Sequence, residues 1–97
     1  MRIVLLPEAE RDIEEARAWY GAESPELEVR FTTALYAVFT LLLAYPLAFQ
    51  ESSPGVRHVS LPRFPYLIYY LVEDGSITVL GVLHMKRHPD TLAEKGL

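Results

Sequence analysis

An Asp-Gly pair at 74–75, set between two runs of β-branched and aromatic residues, constrains this chain more than any other feature. Asp74-Gly75, flanked by Glu73 and Ser76, predicts a two-residue type I′ hairpin, because that turn needs positive φ at both central positions. A tight turn also sets the register. With Glu73 opposite Ser76, Tyr70 faces Val79, Ile68 faces Gly81, Pro65 faces His84 and Arg63 faces Lys86. Alternation then puts Tyr66, Ile68, Tyr70 and Val72 with Ile77, Val79, Leu83 and Met85 on an apolar face, where Gly81 leaves room for a helix. The other face carries Arg63, Pro65, Leu67 and Tyr69 with Thr78, Leu80, Val82, His84 and Lys86, so Arg63, His84 and Lys86 are expected as neighbours.

Val56 to Leu61 reads as a further strand, separated from Tyr66 to Val72 by Pro62-Arg63-Phe64-Pro65, whose two prolines cannot donate to a ladder. No tight turn fixes the register of this strand, which leaves Arg57 unplaced. Residues 2–6 form a first strand, ended by Pro7. Ala9, Ile13, Ala16 and Tyr20 then recur at helical spacing, while Glu8, Glu10, Asp12, Glu14 and Glu15 face water and favour the positive end of the helix. Gly21 breaks this pattern. Ser24-Pro25-Glu26 starts a second helix with its cap at Ser24, and the apolar stripe Leu27, Phe31, Ala34, Leu35, Val38, Leu42 and Tyr45 continues until Pro46. Two helices joined by about four residues pack as an antiparallel hairpin, with Trp19 expected as the plug between them, and residues 47–55 read as a loop. The expected fold is α+β, a β-α-α-β-β-β chain whose N-terminal strand and helix hairpin pack on one face of a mainly antiparallel sheet.

Ninety-seven residues make one domain, 1–97. No apolar run reaches the roughly 20 residues of a bilayer span, and no leader segment is evident, so no membrane role and a cytoplasmic location are expected. With no cysteine, disulfides and thiolate metal sites are excluded. Residues 1–50 hold four basic and eight acidic side chains and residues 51–97 five of each, which puts the whole net charge of −4 in the first half. An acidic chain approaches nucleic acid slowly, although a local basic patch still attracts an anion.

That patch is Arg57, Arg63, His84, Lys86 and Arg87. Cations that stabilise charge on phosphate, beside a group titrating near neutrality, are what metal-free phosphodiester cleavage needs, and a solvated or ion-paired basic face is the alternative. His58, His84 and His88 show no ligand spacing, so neither metal nor cofactor is expected. Tyr66 and Tyr70 are assigned to packing and Tyr69 to the exposed face.

In order, Trp19-Tyr20 before a Ser-Pro turn, Gly55-Val56-Arg57, Arg63-Phe64-Pro65-Tyr66, Ile68-Tyr69-Tyr70 and Val82-Leu83-His84-Met85-Lys86-Arg87-His88-Pro89 resemble the RelE/ParE superfamily of bacterial toxins, with the ending closest to the ParE branch. The resemblance implies a toxin of a type II toxin–antitoxin module, associated with growth arrest and plasmid stabilisation. A cognate antitoxin would neutralise it, and operator DNA would be met only through that antitoxin. For the ParE branch it implies a non-enzymatic toxin that binds DNA gyrase, here through Arg57, Arg63, Tyr69, His84, Lys86 and Arg87. Its relatives in the RelE branch imply the alternative, a metal-independent endoribonuclease cutting mRNA on the ribosome, with Arg57, Arg63, His84, Lys86 and Arg87 as candidate catalytic residues. A degenerate, inactive binding module is the third possibility. Leu92 stands where the ParE branch usually has tryptophan, and the net acidity opposes ribosome binding.

Overall fold

The structure, a computed structural model, describes residues 1–86. Its elements are β1 (Arg2–Leu5), α1 (Pro7–Glu23), α2 (Pro25–Ala44), β2 (Glu51–Ser53), β3 (Val56–Ser60), β4 (Tyr66–Glu73) and β5 (Ser76–His84). One sheet runs in the order β1-β5-β4-β3-β2, antiparallel except where β1 lies parallel to β5. The α+β arrangement is the expected one. A short strand, β2, is added where a loop was expected, and it folds back on β3 around Gly55, whose φ is +79°.

The helices meet at a single residue. Ser24 ends α1 by donating its backbone N–H to the Tyr20 carbonyl, and its hydroxyl caps α2 by accepting from Leu27 N–H at 3.1 Å. So short a link brings the helices close together at Gly21, where a Cβ would lie 2.5 Å from Glu28 Oε1. Arg17, on the same side of α1, pairs with Glu28 at 3.1 Å. An indole has no room in this seam. Trp19 sits on the opposite side of α1 from Arg17 and Gly21 and is 58% exposed, so it does not plug the hairpin.

Ala9 and Ala16 of α1, with Phe31, Leu35, Val38 and Leu42 of α2, bury themselves against Ile68, Tyr70, Ile77, Val79 and Val82. Near the far end of the sheet the contacts become aromatic. Tyr20, Phe31, Phe64 and Tyr66 have centroids 5.0–6.3 Å apart, mostly edge to face. α2 is long and apolar enough, by length and composition, to cross a membrane, contrary to the expectation that no segment is; here its apolar stripe lies on the sheet instead.

The hairpin at 74–75 has positive φ at both Asp74 (41°) and Gly75 (80°), and Glu73↔Ser76 through Tyr70↔Val79 pair as expected. Beyond them the register shifts by one, because Leu80 is an extra residue between Val79 and Gly81, and Tyr69 faces Gly81. Ile68 therefore faces Val82 rather than Gly81, and Tyr66 rather than Pro65 faces His84. Val82 and His84 join the helix-covered face, while Leu83 turns to the other one. β1 runs out beside Val79 at this point, and Asp12 Oδ2 of α1 accepts from Val82 N–H at 3.0 Å. Asp12 is thus a partly buried strut between helix and sheet, not one of the solvated acids of its helix.

Candidate functional site

The expected basic patch is only partly assembled, because its members sit in three different settings. Arg57 is opposite Tyr70 on the helix side of the sheet. Its guanidinium donates to the carbonyls of Phe49 (2.6 Å) and Leu47 (3.3 Å) and pairs with Glu51 at 3.4 Å. Those carbonyls belong to the segment that leaves α2, whose Pro46 carbonyl also accepts from the Tyr70 hydroxyl at 2.9 Å. Arg57 therefore clamps a loop, four strand positions from the end of β4 where Arg63 and Lys86 stand.

Arg63 occupies the β3–β4 turn with φ +68°, a left-handed conformation rarely taken by a side-chain-bearing residue. The turn is held by Leu61 N–H to the Tyr66 carbonyl and by Tyr66 N–H to the Phe64 carbonyl. It sets the Phe64 ring edge-on against Tyr20 and Phe31 and leaves Arg63 exposed. Such strain persists because the prolines and the packed Phe64 ring determine the turn, and it sets where the Arg63 side chain leaves the backbone. Among the described residues Arg63 makes no ion pair.

Lys86 lies just past β5, brought beside the turn by Met85 N–H donating to the Pro65 carbonyl at 2.8 Å. His84 is buried, edge-on to Tyr66 with centroids 5.1 Å apart, and its Nδ1 accepts from Lys86 N–H at 3.0 Å. An accepting Nδ1 leaves the proton of the neutral ring on Nε2 and ties the imidazole to the backbone. The bulge at Leu80 is the reason His84 faces inward and does not stand in the open beside Arg63. Arg87 and His88 lie outside the described residues, as do Pro89 and Leu92.

Tyr69 is buried and not exposed as expected. It faces His58 across the β3–β4 ladder with ring centroids 5.9 Å apart, and His58 Nδ1 contacts the Ser52 hydroxyl. Burial pushes the Tyr69 phenol above the ordinary tyrosine value. Burial also raises Tyr70, and the neighbouring positive charge of Arg57 partly offsets it. A raised folded pKa means that the unfolded chain ionises first, so the stabilisation is intact below about pH 10 and declines as pH rises above it. Alkaline titration followed at the phenolate band should show at least two of the six tyrosines, Tyr69 and Tyr70, ionising late, together with unfolding; six tyrosines ionising at the ordinary value would contradict the burial.

Next to Arg63 a groove of about 730 Å³ opens between α2 and the β3–β4 turn. Leu27, Ala34, Ala37, Pro62 and Phe64 make it apolar, and Arg30 and Arg63 add two guanidiniums. Arg30 is held by Glu26 at 2.6 Å on its own helix. Nothing in the sequence pattern marked this groove, since it arises where the outer flank of α2 meets a turn some 30 residues later in the chain. Among the described residues no group of three or more His, Cys, Asp or Glu converges as a metal site.

The sequence matches the family model described as ParE toxin of type II toxin–antitoxin system, parDE, over residues 3–89. No curated protein matches it. Ten chains of solved structures do, and one of them belongs to the structure titled "Chromosomal ParDE TA system from P. aeruginosa". That chain is 20% identical, with a TM-score of 0.75 over 87% of this chain and 95% of the other. At that identity the structural likeness is one of fold.

Proposed function

Since the chain belongs to the family of ParE toxins of type II toxin–antitoxin systems, we propose that it stops growth by docking on DNA gyrase in the cytoplasm and that a cognate antitoxin holds it inactive. The target comes from the family. What supports docking over mRNA cleavage is the position of Arg57, because a guanidinium tied to two loop carbonyls on the helix side of the sheet is not placed to share a phosphate with Arg63 and Lys86. His84, buried and bonded through Nδ1 to the Lys86 backbone, is likewise poorly placed as a proton shuttle. Arg63 and Lys86, exposed at one end of the sheet, remain as cations for an acidic patch on a protein target.

The antitoxin, on this reading, lays an amphipathic helix in the groove between α2 and the β3–β4 turn. Its apolar side meets Leu27, Ala34 and Phe64, and an acidic side chain meets Arg63, so neutralisation follows from covering one of the target-binding cations. The edge of β1, unpaired among the described residues, is a second place where a partner strand could add.

Purified toxin should inhibit supercoiling by gyrase, and Arg63→Glu with Lys86→Glu should weaken inhibition at least tenfold while the circular dichroism spectrum is unchanged. Induction without the antitoxin should arrest growth with a DNA-damage response. Growth arrest with unimpaired supercoiling and broken transcripts would replace this reading with mRNA cleavage. No growth defect at all would identify an inactive module.

A further inference from the structure

α2 carries two stripes at the four-and-three spacing of a helix-packing seam. Phe31, Leu35, Val38 and Leu42 are buried on the sheet. On the opposite side Val29, Thr33, Tyr36, Thr40 and Leu43 follow the same spacing, and all are exposed, Val29 and Tyr36 at 63% each and Leu43 at 43%. This is the a/d pattern that pairs one helix with another. The Thr40 hydroxyl is turned back to the Tyr36 carbonyl at 3.0 Å, so it needs no outside partner and leaves its methyl outward. Val29 and Thr33 also line the groove beside Arg63, so the stripe borders it at one end, whereas Tyr36, Thr40 and Leu43 lie outside it.

We infer that this second stripe is a self-association surface, on which α2 of one copy packs antiparallel to α2 of another about a two-fold axis at Tyr36. Two observations choose a second copy. First, the stripe is close to a palindrome, with an apolar residue seven positions to either side of Tyr36, Val29 and Leu43, and threonines between. A two-fold interface needs such self-complementarity, because each half must meet the other half. Second, the charges suit this pairing. From Phe31 to Gln50 the chain has no charged residue, and α2 keeps all of its charges, Glu26, Glu28 and Arg30, in the first two turns. A chain of net charge −4 can meet its own copy here without opposing acids. Antiparallel packing puts each charged end against the uncharged end of its mate, whereas parallel packing would set Glu26 and Glu28 against their own copies.

The native chain has no cysteine, so single thiols report the geometry directly. In the full chain freed of antitoxin, Tyr36→Cys should form a disulfide-linked dimer under mild oxidation. Val29→Cys alone should not, since fourteen residues separate it from its mate's position along the axis, roughly 21 Å and far beyond disulfide reach. A mixture of Val29→Cys and Leu43→Cys chains should cross-link to each other. The unmodified chain should sediment at twice its monomer mass, and Tyr36→Glu should return it to the monomer with an unchanged circular dichroism spectrum. A monomeric native chain with no Tyr36→Cys cross-link overturns the inference, and so does a Val29→Cys cross-link as efficient as that of Tyr36→Cys. These results do not depend on what the toxin targets.

Discussion

Phe31→Ala should destabilise the protein by about 3–5 kcal/mol, the range for removing a fully buried aromatic ring, and should unfold much of the population at growth temperature. Phe31 is completely buried and touches Tyr20, Phe64 and Tyr66. Its ring is where α1, α2, the β3–β4 turn and β4 meet. Neighbouring aromatic rings are too large and too constrained to collapse into the space, so most of the cavity cost should remain. Denaturant unfolding would measure it, and a loss under about 1.5 kcal/mol would mean that the four rings do not act as a unit. Phe31→Leu, which keeps most of the volume, should lose considerably less. Because Phe64 packs edge-on against both Tyr20 and Phe31, the same substitution should also loosen the turn that carries Arg63. If gyrase is the target, as proposed, its inhibition should then fall further than the folded fraction does.

Arg57→Ala should cost about 2–3 kcal/mol, since two carbonyls lose a charged donor and a partly buried hydrogen bond of this kind contributes about 1.5–3 kcal/mol. The pair with Glu51 is half exposed and adds little. The more useful reading is functional. If Arg57 only clamps the segment after α2, Arg57→Lys should recover part of the stability, and both variants should inhibit gyrase in proportion to the amount folded. If the residue met a phosphate, the specific activity of fully folded Arg57→Lys would collapse. Activity per folded molecule, measured beside the unfolding curve, separates the two.

Local chemistry explains which parts of this architecture are readable from sequence. Asp74-Gly75 specifies a turn that few other dipeptides make, Ser24-Pro25 caps and starts a helix, and the helical spacing of Phe31, Leu35, Val38 and Leu42 marks a core face. All these signals act within a few residues. The shift at Leu80 is of another kind. It depends on β1 ending beside Val79 and on Asp12 reaching Val82 N–H from another element, and no local pattern encodes either. One unanticipated residue then reverses the faces of everything after it in β5, which is why His84 is expected beside Arg63 and is found against Tyr66 instead. Asp12 is missed for a related reason. A carboxylate among four others on a helix looks like surface until the strand it supports is in place. Tyr69 and Arg57 show the same limit, since both take their roles from β3, whose register no turn announces. The candidate site was therefore legible in its exposed members, Arg63 and Lys86, and misread in those whose setting is tertiary.

The position of β1 also bears on how the protein comes into being. Among the described residues its only strand partner is β5, and Arg2 N–H bonds to the carbonyl of Gly75, more than seventy residues further along the chain. During synthesis the N-terminal strand therefore emerges first and waits longest, with Ile3, Val4 and Leu5 lacking a sheet to join until residues 76–79 have been made. Pairs so distant in sequence close late and slowly. The helix hairpin can assemble early, but its floor cannot. The sheet that carries Arg63 and Lys86 is completed only after residues 76–84 have been translated, so a product truncated or stalled before them should be harmless to the cell that makes it.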